Sequence, residues 1–266
     1  MFIKRLLTAV ISIIVLVVIL FASPAVIEAA VSVVIVLCLY ELYRAFGYTK
    51  RGILLVLGVL PPVFTALANI FNLPVLLYIY MFVLFAALVV FHDEISFRDI
   101  ASVFMIGVFV TAFLWQIVSV RKLENGEYLI WAIFIGACMT DTFAYITGSL
   151  IGSHKLTPKV SPNKTVEGAA GGVLGSVISF LLYGLIMHKA FGFHLNINAL
   201  WILGALCAVA AQIGDLSASV IKRECGIKDY GTLFPGHGGM MDRFDSIMFV
   251  APLVYYFVTI FPIIWK

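Results

Sequence analysis

Residues 215–246 read Asp215-Leu-Ser-Ala-Ser219-Val-Ile-Lys222-Arg223-Glu-Cys-Gly-Ile-Lys228-Asp229-Tyr-Gly-Thr-Leu-Phe-Pro-Gly-His237-Gly238-Gly239-Met-Met-Asp242-Arg243-Phe-Asp245-Ser. One apolar run, residues 200–221, ends inside this stretch. Another, residues 243–264, begins inside it. Between them lie aspartates, basic residues, a histidine and several glycines. Charge at that density beside hydrocarbon is costly, so the stretch marks a place where the chain leaves the membrane for a purpose.

The rest of the chain fits that reading. Of 266 residues, 63% are hydrophobic and 12% charged, and the mean hydropathy is +1.11. Soluble domains carry about 25% charge. The expected fold is therefore all-α, a polytopic integral membrane protein. A bilayer core of roughly 30 Å takes about 20 apolar helical residues. On that ruler about nine spans follow, near 6–22, 26–46, 53–71, 74–91, 100–120, 129–151, 168–188, 200–221 and 243–264. The run after Lys4-Arg5 resembles a signal peptide, but its length and the span that follows favour a retained first helix. Pro61-Pro62 should kink or break the third span. Cys38, Cys138, Cys207 and Cys225 form no C-x-x-C pair, so neither a disulfide framework nor a zinc site is expected. A net charge of +3 gives no reason to expect nucleic acid.

Orientation follows from the basic residues. With the N-terminus in the cytoplasm, 13 of the 17 Lys and Arg fall on the inner side; Arg121, Lys122, Lys189 and Lys266 fall outside. That agrees with the positive-inside rule. Without the last two inner loops the bias is six against four. Residues 1–120 then read as N-terminal scaffold helices giving lipid access. Residues 121–266 read as the catalytic region, with cytoplasmic loops 152–167 and 222–242. The first half has one charged cluster of note, His92 to Asp99, read as an interfacial turn.

The chemistry concentrates in the second half. Asp141, Tyr145 and Gly148 recur at i, i+4, i+7 and share a helical face. Asp141 sits about ten residues from its helix end, roughly 15 Å deep at 1.5 Å per residue. A buried helix–helix hydrogen bond is the bland reading. An intramembrane carboxylate is more often functional. Gly148 and Gly152 form a Gly-x-x-x-Gly, read as a packing face. So do Gly171, Gly172 and Gly175. The loop with Ser161, Asn163, Lys164, Thr165 and Glu167 leads into a helix that Asn163 or Thr165 would cap. Such a helix start beside a lysine can cradle an anion. Asp215, Ser219, Lys222 and Arg223 lie at i, i+4, i+7 and i+8, an anion, a hydroxyl and two cations on one face. Asp242 alone could be a helix cap. Asp242, Asp245 and Asp215 converging is harder to explain that way. Several carboxylates beside several cations fit a metal–polyphosphate site. Mg²⁺ takes one or two carboxylates plus substrate phosphates. No G-x-S-x-G elbow and no P-loop is present.

The pattern Ser219-x-Ile-Lys222-Arg223-x₄-Lys228-Asp229-x-Gly-x₂-Phe-Pro-x-His237-Gly238-Gly239-Met-x-Asp242-Arg243-Phe-Asp245 resembles the signature of CDP-diacylglycerol synthase, or phosphatidate cytidylyltransferase, without departure. Asp141-x-x-Ala-Tyr and Ser161-Pro-Asn163-Lys164-Thr165-x-Glu167-Gly also resemble family segments, with Val166 where the family often has tryptophan. The match covers roughly the C-terminal half. The resemblance implies that phosphatidate and CTP give CDP-diacylglycerol and pyrophosphate at the cytoplasmic face of the cell membrane, with Mg²⁺. It leaves room for a second, monovalent cation such as K⁺, and it suggests a homodimer among membrane lipids. The roles it implies are these. Asp215 and Asp242, then Asp245 and Asp141, hold metal. Lys222, Arg223, Lys228 and Lys164 contact substrate phosphates. Ser161, Asn163, Thr165 and Glu167 place the nucleotide. His237 with Gly238 and Gly239 holds pyrophosphate or shapes the turn. Ser219, Asp229 and Arg243 complete the substrate-binding set. The competing readings are a CTP-dependent polyprenol or phytol kinase, releasing CDP, and an ion or solute transporter.

Overall fold

The structure is a computed structural model that describes residues 2–67, 72–234, 236 and 238–266. Its frame is a bundle of helices: α1 (Phe2–Leu20), α2 (Pro24–Ala45), α3 (Gly52–Leu67), α4 (Leu73–Val90), α5 (Phe97–Arg121), α6 (Gly126–Ile151), α7 (Val166–Phe191), α8 (Ile197–Glu224) and α9 (Met241–Ile260). Each coincides with one expected span, within a few residues at most ends. The end of the third expected span, residues 68–71, lies outside the described residues. Among the described residues, seven helices are long and apolar enough to cross a membrane: α2 and α4 to α9. The apolar parts described for α1 and α3 are shorter. Val18, Val89, Leu150 and Leu182 are more than half exposed on the bundle surface, as a lipid-facing perimeter requires.

Local chemistry sets the helix ends. Ser96 and Asp99 form a capping box at the start of α5. Asn196 accepts from Ala199 N at the start of α8. Thr165, not Asn163, caps α7, its hydroxyl accepting from Gly168 N at 3.1 Å. In α3 the helix continues through Pro61 and Pro62. Pro62 has no N–H for the Gly58 carbonyl four residues back. The buried Tyr43 hydroxyl donates to that carbonyl at 3.3 Å.

The loop expected between α6 and α7 is a small hairpin. Strand β1 (Lys155–Thr157) pairs antiparallel with β2 (Ser161–Thr165). A second ribbon joins β3 (His194–Leu195) to β4 (Ile264–Trp265), tying the α7–α8 connection to the end of the chain. Strands of two to five residues carry too little alternation to be read from sequence.

The glycine faces do pack. Gly168, Gly171, Gly172 and Gly175 of α7 lie against Ala144, Thr147, Thr140 and Phe143 of α6. A Cβ on Gly172 would stand 3.0 Å from the Thr140 carbonyl, a backbone atom that cannot swing aside. Gly172→Val should therefore lower thermal stability in detergent by about 1–3 kcal/mol, the usual cost of overpacking. An unchanged melting temperature would mean that the two helices are free to separate there.

Candidate active site

Helices α6, α7, α8 and α9 enclose a cavity of about 610 Å³ at the end of the bundle that carries the β1–β2 hairpin and the 225–240 loop. The depth comes from the helices. Asp141 on α6 is ten residues before Ile151, and Asp215 on α8 is nine before Glu224. At 1.5 Å per residue the cavity floor lies roughly 15 Å from the helix ends. Asp141 is nonetheless solvent-accessible, because it faces open cavity.

Among the described residues, five carboxylates line this space: Asp141, Asp215, Asp229, Asp242 and Asp245. Three cations oppose them: Lys164, Lys222 and Arg243. Lys164 Nζ meets Asp215 Oδ2 at 2.5 Å, joining the hairpin to α8. The Ser246 hydroxyl has two acceptors within reach of its one proton, Asp141 Oδ2 at 3.4 Å and Asp245 Oδ1 at 3.5 Å, so it stands between two carboxylates from different helices. Asp245 Oδ1 also accepts from its neighbour's backbone, Ser246 N, at 2.7 Å. Gln212 lines the cavity and donates to the Ala169 carbonyl at 3.2 Å. Neither Ser246 nor Gln212 was expected. Ser246 lies five residues past the start of α9 and Gln212 three before Asp215, so helical periodicity alone could have put both near the aspartates.

Asp242, expected to hold metal, lines the cavity with both of its oxygens engaged by protein groups. Its Oδ1 accepts from Lys222 Nζ at 2.9 Å. Its Oδ2 accepts from Tyr230 N at 2.8 Å and Gly239 N at 2.9 Å. The side chain is 4% exposed. The physical reason is local. The glycine-rich loop folds back over the start of α9 and offers two otherwise unpaired N–H groups to the first carboxylate within reach. Gly238 permits this with φ +89°, and a Cβ there would strike Asp242. Tyr230 is the loop's anchor. Its buried hydroxyl donates to the Ala218 carbonyl at 2.9 Å, and burial pushes the phenol pKa well up.

The loop is also held from the other half of the chain. Glu41 on α2 accepts from Met240 N at 3.0 Å and Met241 N at 2.9 Å, one on each carboxylate oxygen. Arg44, one helical turn on, donates to the Tyr230 carbonyl at 2.6 Å. Gly231 and Gly239 pack so closely on Glu41 that any Cβ would collide with it.

The remaining expected site residues divide. Asn163, Lys164, Thr165, Lys222, Asp229 and Arg243 line the cavity with the aspartates. Ser161, Glu167, Ser219, Arg223, Lys228, Gly238 and Gly239 do not. Glu167 instead ties the hairpin entry down, accepting from Ser153 N at 3.1 Å, Ser153 Oγ at 2.9 Å and His154 N at 3.2 Å. Arg223 Nε donates to the Val160 carbonyl at 3.3 Å, clipping α8 to the hairpin turn. Ser219 is buried, and Lys228 is exposed on the loop. Pro235 and His237 lie outside the described residues.

The donor set decides how a cation would fit. Among the described residues, no group of three or more His, Cys, Asp or Glu side chains stands at metal-holding distances. Mg²⁺ does not need one, since it binds one or two carboxylates and completes its shell with water and phosphate. Asp141, Asp215 and Asp245 offer hard oxygen donors around one cavity. Five carboxylates against three cations leave a formal excess of negative charge. That excess repels a polyphosphate unless a divalent cation enters with it.

Two comparisons with known proteins bear on this site. The model of the cytidylyltransferase family matches residues 3–261. Phosphatidate cytidylyltransferases of Staphylococcus epidermidis and Staphylococcus haemolyticus are each 40% identical over 173 residues, and that of Staphylococcus aureus is 38% identical over the same length. The matched segment is 65% of this chain and 64% of each relative, so it falls short of two thirds of the curated proteins.

Proposed function

This chain belongs to the cytidylyltransferase family, and on that premise we propose that it transfers the cytidylyl group of CTP to phosphatidate at the cytoplasmic face of a membrane. The observation that carries the reading is the cavity itself. It combines an excess of carboxylates with Lys164, Lys222 and Arg243 at one end of a bundle of apolar helices. Its wall includes Tyr145 of α6, a large aromatic side chain that is 77% exposed. One substrate is soluble and the other is a lipid, so a site open both to water and to hydrocarbon serves both.

The chemistry is largely positioning and charge. A phosphate oxygen of phosphatidate attacks the α-phosphorus of CTP, and the bond from that phosphorus to the pyrophosphate oxygen breaks. A phosphate monoester is mostly dianionic near neutral pH, because its second pKa is about 6. The nucleophile therefore needs no strong base, and the aspartates are free for other work. Asp215, Asp141 and Asp245 would hold Mg²⁺, and when bound the ion offsets the charge of the triphosphate and of the developing pyrophosphate. Lys164 and Arg243 meet the phosphates the metal does not cover. Lys222 is oriented by Asp242, which also closes the loop over the site. Asn163 and Thr165 border the nucleotide from the hairpin. Glu167 and Arg223 act one step removed, by fixing the hairpin. The positive-inside bias supports the cytoplasmic orientation, and the resemblance supports a homodimer.

Product analysis tests the reaction. Purified protein incubated with phosphatidate, labelled CTP and Mg²⁺ should release pyrophosphate and form a CDP-lipid. Release of CDP with a phosphorylated lipid alcohol would instead assign it as a lipid kinase. CTP-independent solute flux in sealed vesicles would point to a transporter.

A further inference from the structure

A second cavity, about 660 Å³, lies on the other side of α8 and shares no lining residue with the first. Helices α2, α5, α8 and α9 wall it. On α5 the lining runs from Arg98 through Ala101 and Met105 to Phe109 and Val110, a stripe at helical spacing. Ala218 and Ile221 of α8 and Met248 of α9 face it. From Arg98 to Val110 the stripe descends roughly 18 Å at 1.5 Å per residue. That is close to one leaflet of a bilayer core about 30 Å thick.

The polar groups sit at one end. Among the described residues, Arg98 is the only charged one in the lining, and no carboxylate joins it. Its side chain is exposed, and among the described residues its guanidinium makes no hydrogen bond or ion pair. The neighbouring Asp99 is already committed. It pairs with Arg51 at 3.0 Å and accepts from Ser96 in the capping box. Ser102 lies one turn deeper along the same stripe. A free cation at the mouth of a leaflet-deep apolar slot is complementary to one kind of molecule, with an anionic head and a hydrocarbon tail.

We propose that this cavity binds an anionic diacyl phospholipid, its phosphate on Arg98 and one acyl chain along the α5 stripe. The lipid does not react there. Asp215 and the other carboxylates open into the first cavity, across α8. The proposal stands independently of the reaction assigned to that cavity.

Native mass spectrometry of the full chain in detergent tests it, with dioleoyl phosphatidylglycerol and dioleoyl phosphatidylcholine titrated separately. The parent protein should retain the anionic lipid and hold the zwitterionic one more weakly. Arg98→Gln should weaken phosphatidylglycerol binding roughly tenfold, the value of one charge-assisted contact, and leave phosphatidylcholine unchanged. Ala101→Trp should fill the slot and remove both adducts. Arg98→Gln on the surface need not disturb folding, and melting temperatures check both variants. Unchanged phosphatidylglycerol binding in Arg98→Gln overturns the proposal. So does an Ala101→Trp variant that changes the oligomeric state but keeps its adducts, since the face would then be an interface between copies. A rise in the KM for phosphatidate with no change in phosphatidylglycerol binding would also overturn it, because the cavity would then serve the substrate.

Discussion

Asp215→Asn should reduce cytidylyl transfer by at least about 10²–10³-fold, the usual loss when one preorganised charged contact leaves an active site, while the melting temperature stays near that of the parent. The two halves of this expectation have separate causes. Asp215 and Lys164 are each more than a quarter exposed, at 29% and 27%. An ion pair that open contributes about 0–1 kcal/mol to stability. Asparagine keeps the shape, and the backbone of α8 around it is intrahelical. Catalysis is different: in the proposed role Asp215 would hold Mg²⁺, and asparagine would offer the ion a neutral oxygen in place of a charged one. Lys164 also loses the carboxylate partner that fixes it in the cavity wall. Lys164→Met tests that second route. If the residues act as one unit, the double variant should lose little more than Asp215→Asn alone, a non-additivity that a double-mutant cycle measures directly. Turnover of labelled CTP near the parent rate in Asp215→Asn would remove Asp215 from the site.

Much of this cavity's lining is legible in the sequence. Asp141, Lys164, Asp215 and Asp245 come from four separate segments; the aspartates stand out because a charge in or beside an apolar run needs a reason, and Lys164 because it lies in a loop that leads into a helix start. Their convergence needed only the expectation that the ends of α6, α8 and α9 meet the loop that leads into α7. What escaped were partnerships with the backbone. Asp242 looked like a ligand because its carboxylate was visible in sequence. The N–H groups of Tyr230 and Gly239 that occupy it have no signature, since every residue carries one. Arg223 and Glu167 look like phosphate and nucleotide contacts for the same reason. Their partners, the Val160 carbonyl and the Ser153 and His154 amides, depend on a hairpin too short to announce itself. Glu41 is another matter. It is a carboxylate inside an apolar span, with Arg44 three residues on along the same face. The reasoning that singled out Asp141 applies to it equally, and the apolar bulk of the N-terminal half obscured it.

Glu41 carries the second large expectation. The first N–H groups of a helix have no intrahelical partner and lie at its positive end. At the start of α9 two of them, Met240 and Met241, are satisfied by one carboxylate from α2, 6% exposed and about 200 residues away in the chain. Glu41→Ala would leave both donors buried and unpaired at a cost of about 1–3 kcal/mol each. Glu41→Gln is the sharper test. It keeps the volume, so Gly231 and Gly239 still pack, but it turns an NH₂ group toward one of the two N–H donors. The loss should be about 1–3 kcal/mol, and it falls where Asp242, Lys222 and Tyr230 are anchored. The expected signature is therefore a fall in kcat together with a loss of thermal stability. Glu28 supplies the control on the same helix. It pairs with Lys122 at 3.1 Å at the far end of the bundle, with side chains 33% and 47% exposed. Glu28→Gln removes the same charge from α2 and should cost no more than about 1 kcal/mol, with kcat unchanged. If both variants behave alike, Glu41 is an ordinary buried contact. If only Glu41→Gln slows turnover, α2 sets the position of the catalytic loop, and the N-terminal half is part of the active-site machinery.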